Sequence, residues 1–427
     1  MSFLQRLHHP EKYFRILFKW SLLGIIVGLI GGLVGTLFSY TLSFVTNVRT
    51  ENSWLILLLP FGGLATIGLY RLFKMVGNRG TNEIIESILK NKPVKPLVAP
   101  AIFIATSITH LFGGSAGREG AALQLGGSIA SFLSKIFRLN EQERTVLIMS
   151  GMSSVFAALF RTPLTATIFT MEFVSVGTIF SPAMLPCYLA SFVASTLSGY
   201  LGVHEEAVEV NQMVSLASIT SVQIIALAIA IGVLGIVMCG IFHYIEHKAH
   251  SLIPNMWIRI VVGAAVIVAL TVLVGDDRYN GAGMNMALAA VGGSANWYDF
   301  ALKMLFTAVT LAAGFKGGEI VPTFCIGATF GCVFGGLIGL DPGFAAALGI
   351  VGLFCAATNS PLAAIVLSVE MFECHNMHIF ALVCVIVFVV SGNWGLYSSQ
   401  SIQFSKARLK RKNVSDIQLD SLRDRNS

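Results

Sequence analysis

The chain has 427 residues, 55% of them hydrophobic and only 12% charged, with a mean hydropathy of +0.76. Soluble globular domains carry about twice that charged fraction, so the composition excludes a soluble domain and implies an all-α polytopic membrane protein. The formal charge of +6 sits in flanks and loops, where it describes topology rather than nucleic-acid binding.

The N-terminal segment, residues 1–12, carries Arg6 and Lys12, with Arg15 just beyond, and is expected to be cytoplasmic. It does not read as a cleavable signal. No small-residue cleavage site follows, and the apolar run over 20–45 is too long for a signal core. Residues 13–203 read as a first transmembrane half. Gly24, Gly28, Gly31, Gly32 and Gly35 let its first helix approach a neighbour closely. A second span is expected over 55–70. The loop 71–95 is basic, with Lys90, Lys92 and Lys95, and contains Gly77-Asn78-Arg79-Gly80-Thr81-Asn82-Glu83. Thr81 reads there as the N-cap of a helix over 82–90. Pro96 opens the next apolar stretch.

Between apolar segments 101–112 and 121–137 lies Gly113-Gly114-Ser115-Ala116-Gly117-Arg118-Glu119-Gly120. An arginine and a glutamate at membrane depth are costly unless they line a polar path. The glycines free the backbone to bend, and its N–H groups to face a ligand. A helix starting here presents unpaired donors and a partial positive charge, which suits an anion. Glu119 is a tethered anion that can fill such a site, or take a proton and leave it. Apolar runs over 146–159 and 345–355 are shorter than the roughly 20 residues of a full span, and imply tilted, broken or re-entrant helices.

Residues 204–256 read as a polar loop with Glu205, Glu206 and Glu209, then a long span over 219–243, then a linker with Glu246, Lys248, His250 and Asn255. A second transmembrane half follows over 257–402. The tail 403–427 is basic, then polar, and too short for a regulatory domain. The seven cysteines form no C-x-x-C or metal spacing and read as small buried hydrophobes, so neither a metal nor a cofactor is expected.

The halves echo one another. Phe160-Arg161-Thr162-Pro163, with Glu172 nine residues after the proline, resembles Thr358-Asn359-Ser360-Pro361, with Glu370 nine after its own. That offset is 198 residues (163 to 361). Gly117-Arg118-Glu119-Gly120 aligns with Gly317-Gly318-Glu319-Ile320 at an offset of 200 (119 to 319). An internal duplication with broken helices at equivalent places points to a binding site near the bilayer midplane. The twin placement of Glu172 and Glu370 suggests a hydrogen-bonding role in the fold. Arg118 reads as a tether for loop carbonyls, and Glu319 as a helix-start carboxylate or a partner of Lys316.

These residues resemble the CLC family of anion channels and proton-coupled anion antiporters. Gly117-Arg118-Glu119-Gly120-Ala121 is similar to the family's GREGP motif, which implies a gating role for Glu119. Gly318-Glu319-Ile320-Val321-Pro322 resembles its GxFxP motif. Leu396-Tyr397-Ser398 resembles the segment with the anion-coordinating tyrosine. Residues 77–81 lie where GSGIP belongs, and either Gly80 or Thr81 takes the place of its central serine. Phe173 stands where chloride/proton members carry a second, internal glutamate. These departures, with Glu319 at the second-half helix start, resemble the bacterial fluoride/proton antiporter branch.

The resemblance implies a CLC-type inverted repeat in a bacterial plasma membrane, with both termini cytoplasmic. It implies a homodimer, its interface drawn from the apolar segments 185–201 and 379–390. It implies fluoride export coupled to proton import, with Glu119 and Glu319 as proton and gating residues. Gly117, Arg118, Gly120, Gly80, Thr81, Ile320 and Tyr397 would line the anion path. A chloride/proton antiporter or chloride channel of the same family is the nearest alternative. A remote one is an intramembrane serine hydrolase, since Gly113-Gly114-Ser115-Ala116-Gly117 matches G-x-S-x-G, with His110 nearby. No H-E-x-x-H is present for a metalloprotease.

Overall fold

The computed structural model describes residues 10–204, 218–372, 376–403 and 406. The expected N-terminal segment up to residue 9, the acidic Glu205, Glu206 and Glu209, Cys374 and most of the tail lie outside the described residues. The first half contains α1 (Pro10–Glu51), a 3-10 turn (Ser53–Leu58), α2 (Leu59–Leu72), α3 (Thr81–Leu89), α4 (Val98–Leu111), α5 (Glu119–Ile136), α6 (Glu141–Phe160), α7 (Pro163–Glu172) and α8 (Met184–Tyr200). The second contains α9 (Ser218–Leu252), α10 (Met256–Val274), α11 (Met284–Val291), α12 (Asp299–Ala313), α13 (Ile320–Leu337), α14 (Pro342–Thr358), α15 (Pro361–Phe372) and α16 (Met377–Val390). One short parallel pair joins β1 (Ser175–Val176) to β2 (Ser401–Ile402).

Among the described residues, six helical segments are long and apolar enough to cross a membrane, while α4, α14, α15 and α16 are shorter. The 146–159 run is corrected by its ends: α6 is 20 residues long because polar residues extend it. Asn140 accepts from the Glu143 N–H and Glu143 caps back, a reciprocal capping box that starts the helix before the apolar run does. Glu143 also pairs with Lys19 of α1. The polar linker is corrected too. Glu246 to His250 continue α9, and only the turn to Asn255, whose side chain caps α10 through Trp257 N–H, separates the two spans.

Each half is built on a pair of helices in backbone contact. A Cβ at Gly126 of α5 or Gly151 of α6 would overlap the other's carbonyl, and Gly327 of α13 and Gly349 of α14 repeat the arrangement. The six described free cysteines are buried. The α6 and α14 helices end alike, at Arg161 (φ 57°) and Asn359 (φ 58°), both left-handed. The α6 helix has 20 residues and α14 has 17. That three-residue difference shifts the repeat offset from 201 at the α5 and α13 starts (119 to 320) to 198 beyond them (163 to 361).

Glu172 and Glu370 exchange caps between the halves. The Glu172 carboxylate accepts from the N–H groups of Leu362 (3.1 Å) and Ala363 (2.9 Å) at the start of α15. Glu370 accepts from Leu164 (2.9 Å) and Thr165 (2.7 Å) at the start of α7. Each carboxylate satisfies two orphan donors and meets a helix's positive end. Glu172→Ala is expected to lower thermal stability by several degrees, on the order of 3 kcal/mol for two charge-assisted bonds. It should leave ion selectivity unchanged. Unfolding of the detergent-solubilised protein followed by tryptophan fluorescence checks it.

Candidate functional site

The stretch 113–120 and its second-half counterpart cross inside the protein. Gly117 and Gly318 form an isolated antiparallel bridge, with Gly117 N–H to Gly318 O at 2.7 Å and Gly318 N–H to Gly117 O at 2.8 Å. Two helices, α5 and α13, start just beyond it. The bridge corrects the repeat register. Gly117 pairs with Gly318, α5 starts at Glu119 and α13 at Ile320, so Ile320 is the counterpart of Glu119, and Glu319 that of Arg118. Gly117 N–H is consumed by the crossing, so in this state it offers no donor to an anion.

Glu119 is fully buried at the first position of α5. Its Oε1 accepts from the Arg118 backbone N–H at 3.0 Å, and its Oε2 has no hydrogen-bond partner. A buried carboxylate oxygen without a partner is costly. A Cβ on Gly318 would lie 2.6 Å from that oxygen and 2.7 Å from Gly120 N. Gly318→Ala should therefore push the Glu119 side chain from its seat. The expected result is a loss of transport with retained expression, read from flux in reconstituted liposomes. The Arg118 guanidinium lies 5.2 Å from the Phe160 ring centroid.

A third helix start, that of α3, closes on the same place. Its N-cap is Gly80 (φ 63°), not Thr81, which is the first helical residue. The Thr81 hydroxyl is instead turned toward the Gly120 carbonyl, at 3.5 Å. Asn78 Oδ1 accepts from Gly80 N–H at 3.0 Å and holds the bend. Gln124, one turn into α5, donates to the same Gly120 carbonyl at 3.0 Å and leaves its buried Oε1 without a partner. Sequence reasoning missed Gln124; a lone glutamine on an apolar helix was the available signal.

Beyond this crossing opens a cavity of about 670 Å³, lined by Tyr70, Asn78, Arg259, Lys316, Glu319 and Tyr397 among others. Glu319 caps α13 in sequence only, because its side chain makes no cap hydrogen bond and its Oε2 is buried without a partner. No Lys316–Glu319 ion pair forms among the described residues. Lys316 reaches the Asn78 carbonyl at 3.4 Å and lies over the Tyr70 ring at 4.9 Å. The Tyr397 hydroxyl is also buried and unpartnered. The ring of Phe173 meets that of Tyr397 edge-on at 5.7 Å and stacks on Phe169 at 4.8 Å. These rings form an apolar stack beside the cavity-lining tyrosine.

Ser115 is buried behind the crossing and held by Lys303, whose Nζ donates to Ser115 Oγ (3.0 Å) and to the carbonyls of Tyr279 (3.0 Å) and Gly281 (2.7 Å). His110 turns to the Gly117 carbonyl at 3.4 Å rather than to Ser115, so the serine–histidine pair of the hydrolase reading does not form.

Comparison with known proteins gives a consistent result. The family described as voltage gated chloride channel matches residues 61–392. The chain is 34% identical over 395 residues, 91% of this chain and 87% of the relative, to a protein of Pseudomonas syringae pv. tomato named "Chloride/fluoride channel protein". It is 24% identical over 333 residues, 74% of this chain and 70% of the relative, to the "H(+)/Cl(-) exchange transporter ClcA" of Yersinia pestis. Among solved structures, one described as a CLC-type fluoride/proton antiporter superposes with a TM-score of 0.87 at 34% identity, covering 90% of this chain and 98% of the other. A slow cyanobacterial Cl−/H+ antiporter shares the fold, with a TM-score of 0.75 at 21% identity, covering 87% and 94%.

Proposed function

The chain belongs to the CLC family of voltage gated chloride channels, and on that premise we propose that it exports fluoride from a bacterial cell in exchange for protons. The observation that carries this reading is the pair of carboxylates at the crossing. Glu119 and Glu319 each hold a buried oxygen with no partner, next to three helix starts. Helix starts supply oriented N–H donors to an anion without burying a full positive charge. Fluoride is small and strongly hydrated, so it needs such donors densely placed to replace its water.

In the proposed cycle the anion enters from the cavity, past Thr81, Ile320 and Tyr397, toward the amides at the starts of α5 and α13 that Glu119 gives up when it leaves. Glu119 occupies the far end as a tethered anion. When protonated, it leaves and lets the anion pass. Glu319 lines the cavity while Glu119 lies behind it, so Glu319 is placed to pass protons between Glu119 and the cavity side. No internal glutamate is required, which accommodates Phe173. The cavity faces the same side as the basic loop 71–95, the cytoplasmic side by the distribution of Lys and Arg. The subunits pair through the exposed apolar faces of α8, with Tyr188 and Phe192, and α16, with Val385 and Val389.

The test is efflux from liposomes carrying the purified protein, with fluoride and chloride compared and the pH of a weakly buffered medium recorded. Fluoride efflux at least about tenfold above chloride, a difference of about 1.4 kcal/mol, is expected, with protons moving the opposite way. Chloride-favouring flux would place the chain with the chloride transporters instead. Phe173 favours one second reading, an uncoupled channel, for which anions would move without protons.

A further inference from the structure

The segment around Tyr397 is tied to elements that surround the cavity end, and the Gln400 side chain makes three of the ties. Gln400 is fully buried. Its Nε2 donates to the carbonyl of Phe173 at 2.5 Å, just past α7, and to that of Thr358 at 2.7 Å, at the end of α14. Its Oε1 accepts from Asn359 Nδ2 at 3.1 Å. Its backbone N–H donates to the Tyr397 carbonyl at 3.2 Å. The side-chain amide therefore joins the first half to the second, with its oxygen and nitrogen both hydrogen-bonded, while the backbone N–H ties the residue to the tyrosine.

Neighbouring bonds act in the same direction. Leu396 N–H donates to Ala357 O at 2.8 Å, and Ser399 N–H to Asn82 Oδ1 at 3.0 Å on α3. Asn359 is held from its other side by Lys406, at 2.6 Å. Lys406 also lies 3.8 Å from the Phe388 ring centroid on α16. Tyr397 is fully buried, its ring meets Phe173 edge-on, and its hydroxyl is unpartnered. The backbone that carries it is held by Gln400 together with the β1–β2 pair, through Ser401 N–H to Val174 O and Gln403 N–H to Val176 O, both at 3.2 Å.

We propose that Gln400 is a positioning residue for the cavity-lining Tyr397, holding it and Phe173 in one fixed relation across the two halves, with Lys406 as its outer brace. The proposal rests on the exchange reading above and deepens it. A loosely placed Tyr397 widens the way past it and admits the anion while Glu119 is unprotonated, so loosening shows as slippage rather than as simple loss of rate. A misplacement of about 1 Å at a reacting geometry can cost up to roughly a hundredfold.

The experiment measures anion and proton movement together in liposomes for wild type, Gln400→Met and Lys406→Met, with thermal unfolding of each. Gln400→Met is expected to lower the protons moved per anion by about tenfold while anion flux is kept or raised. Lys406→Met should shift the ratio the same way by about threefold, and it serves if Gln400→Met fails to fold. Folded variants with the wild-type ratio would overturn the proposal. So would parallel losses of both fluxes at an unchanged ratio, which would make Gln400 merely structural. Wild-type anion flux without proton movement would instead defeat the exchange reading, before any substitution is compared. The positioning role of Gln400 is then read from anion rate, where a rise in Gln400→Met supports it and no change or a fall overturns it.

Discussion

Glu119→Gln is expected to reduce proton movement by about 10²-fold or more while the protein stays folded and still binds its anion. The glutamine amide is isosteric and keeps an oxygen for the Arg118 N–H, which Oε1 accepts at 3.0 Å. What is lost is the exchangeable proton. The unpartnered Oε2 becomes an amide nitrogen that faces the backbone N–H groups at the helix starts, so the side chain is less firmly seated. Anion movement should persist as a leak that no longer raises or lowers the external pH. Simultaneous fluoride-electrode and pH-electrode recordings decide the matter. Undiminished proton counterflow in this variant would remove Glu119 from the proton path altogether.

Glu319→Gln carries the second large effect. A helix-start carboxylate usually earns its place by capping, but the Glu319 side chain makes no cap bond to α13. Stability should therefore be nearly unchanged. Coupled turnover should fall by about 10²-fold, because Glu119 is left without a proton partner on the cavity side. Glu319→Asp keeps the carboxylate and should recover part of the rate. Anion binding by calorimetry should be close to wild type in both variants, since the donors at the helix starts are backbone groups. A Glu319→Gln protein with full exchange would mean that protons reach Glu119 another way. In contrast to Glu119→Gln, the expected signature is a stalled exchanger rather than a leak.

Much of this site was legible in one dimension. Glycine, glutamate and arginine stand out against an apolar background because burying charge in hydrocarbon is costly, and this singled out Glu119. The matched Pro163 and Pro361, each with a glutamate nine residues on, announced the duplication and a hydrogen-bonding role for Glu172 and Glu370 in the fold, though not that each caps a helix of the other half. The aligned motif around Gly317 was one residue out of register. A gap-free comparison cannot see that α14 is three residues shorter than α6, nor that the two strands run antiparallel where they cross. The polar starts of α6 and end of α9 were read as loop, because hydropathy does not register a capping box or a helix that continues into water.

The sequence by itself determined the environment, the helices, the two-fold plan and which carboxylates are chemically out of place. Each of these follows from local composition, hydrophobic runs or self-similarity. Only the tertiary structure decided that Gly117 spends its N–H on Gly318, that Thr81 faces Gly120 instead of capping α3, and that Gln400 binds Phe173 and Thr358 at once. Those bonds join residues tens to hundreds of positions apart. Their partners are chosen by how tightly packed helices bring backbone groups into reach, and no local pattern in the chain encodes that choice.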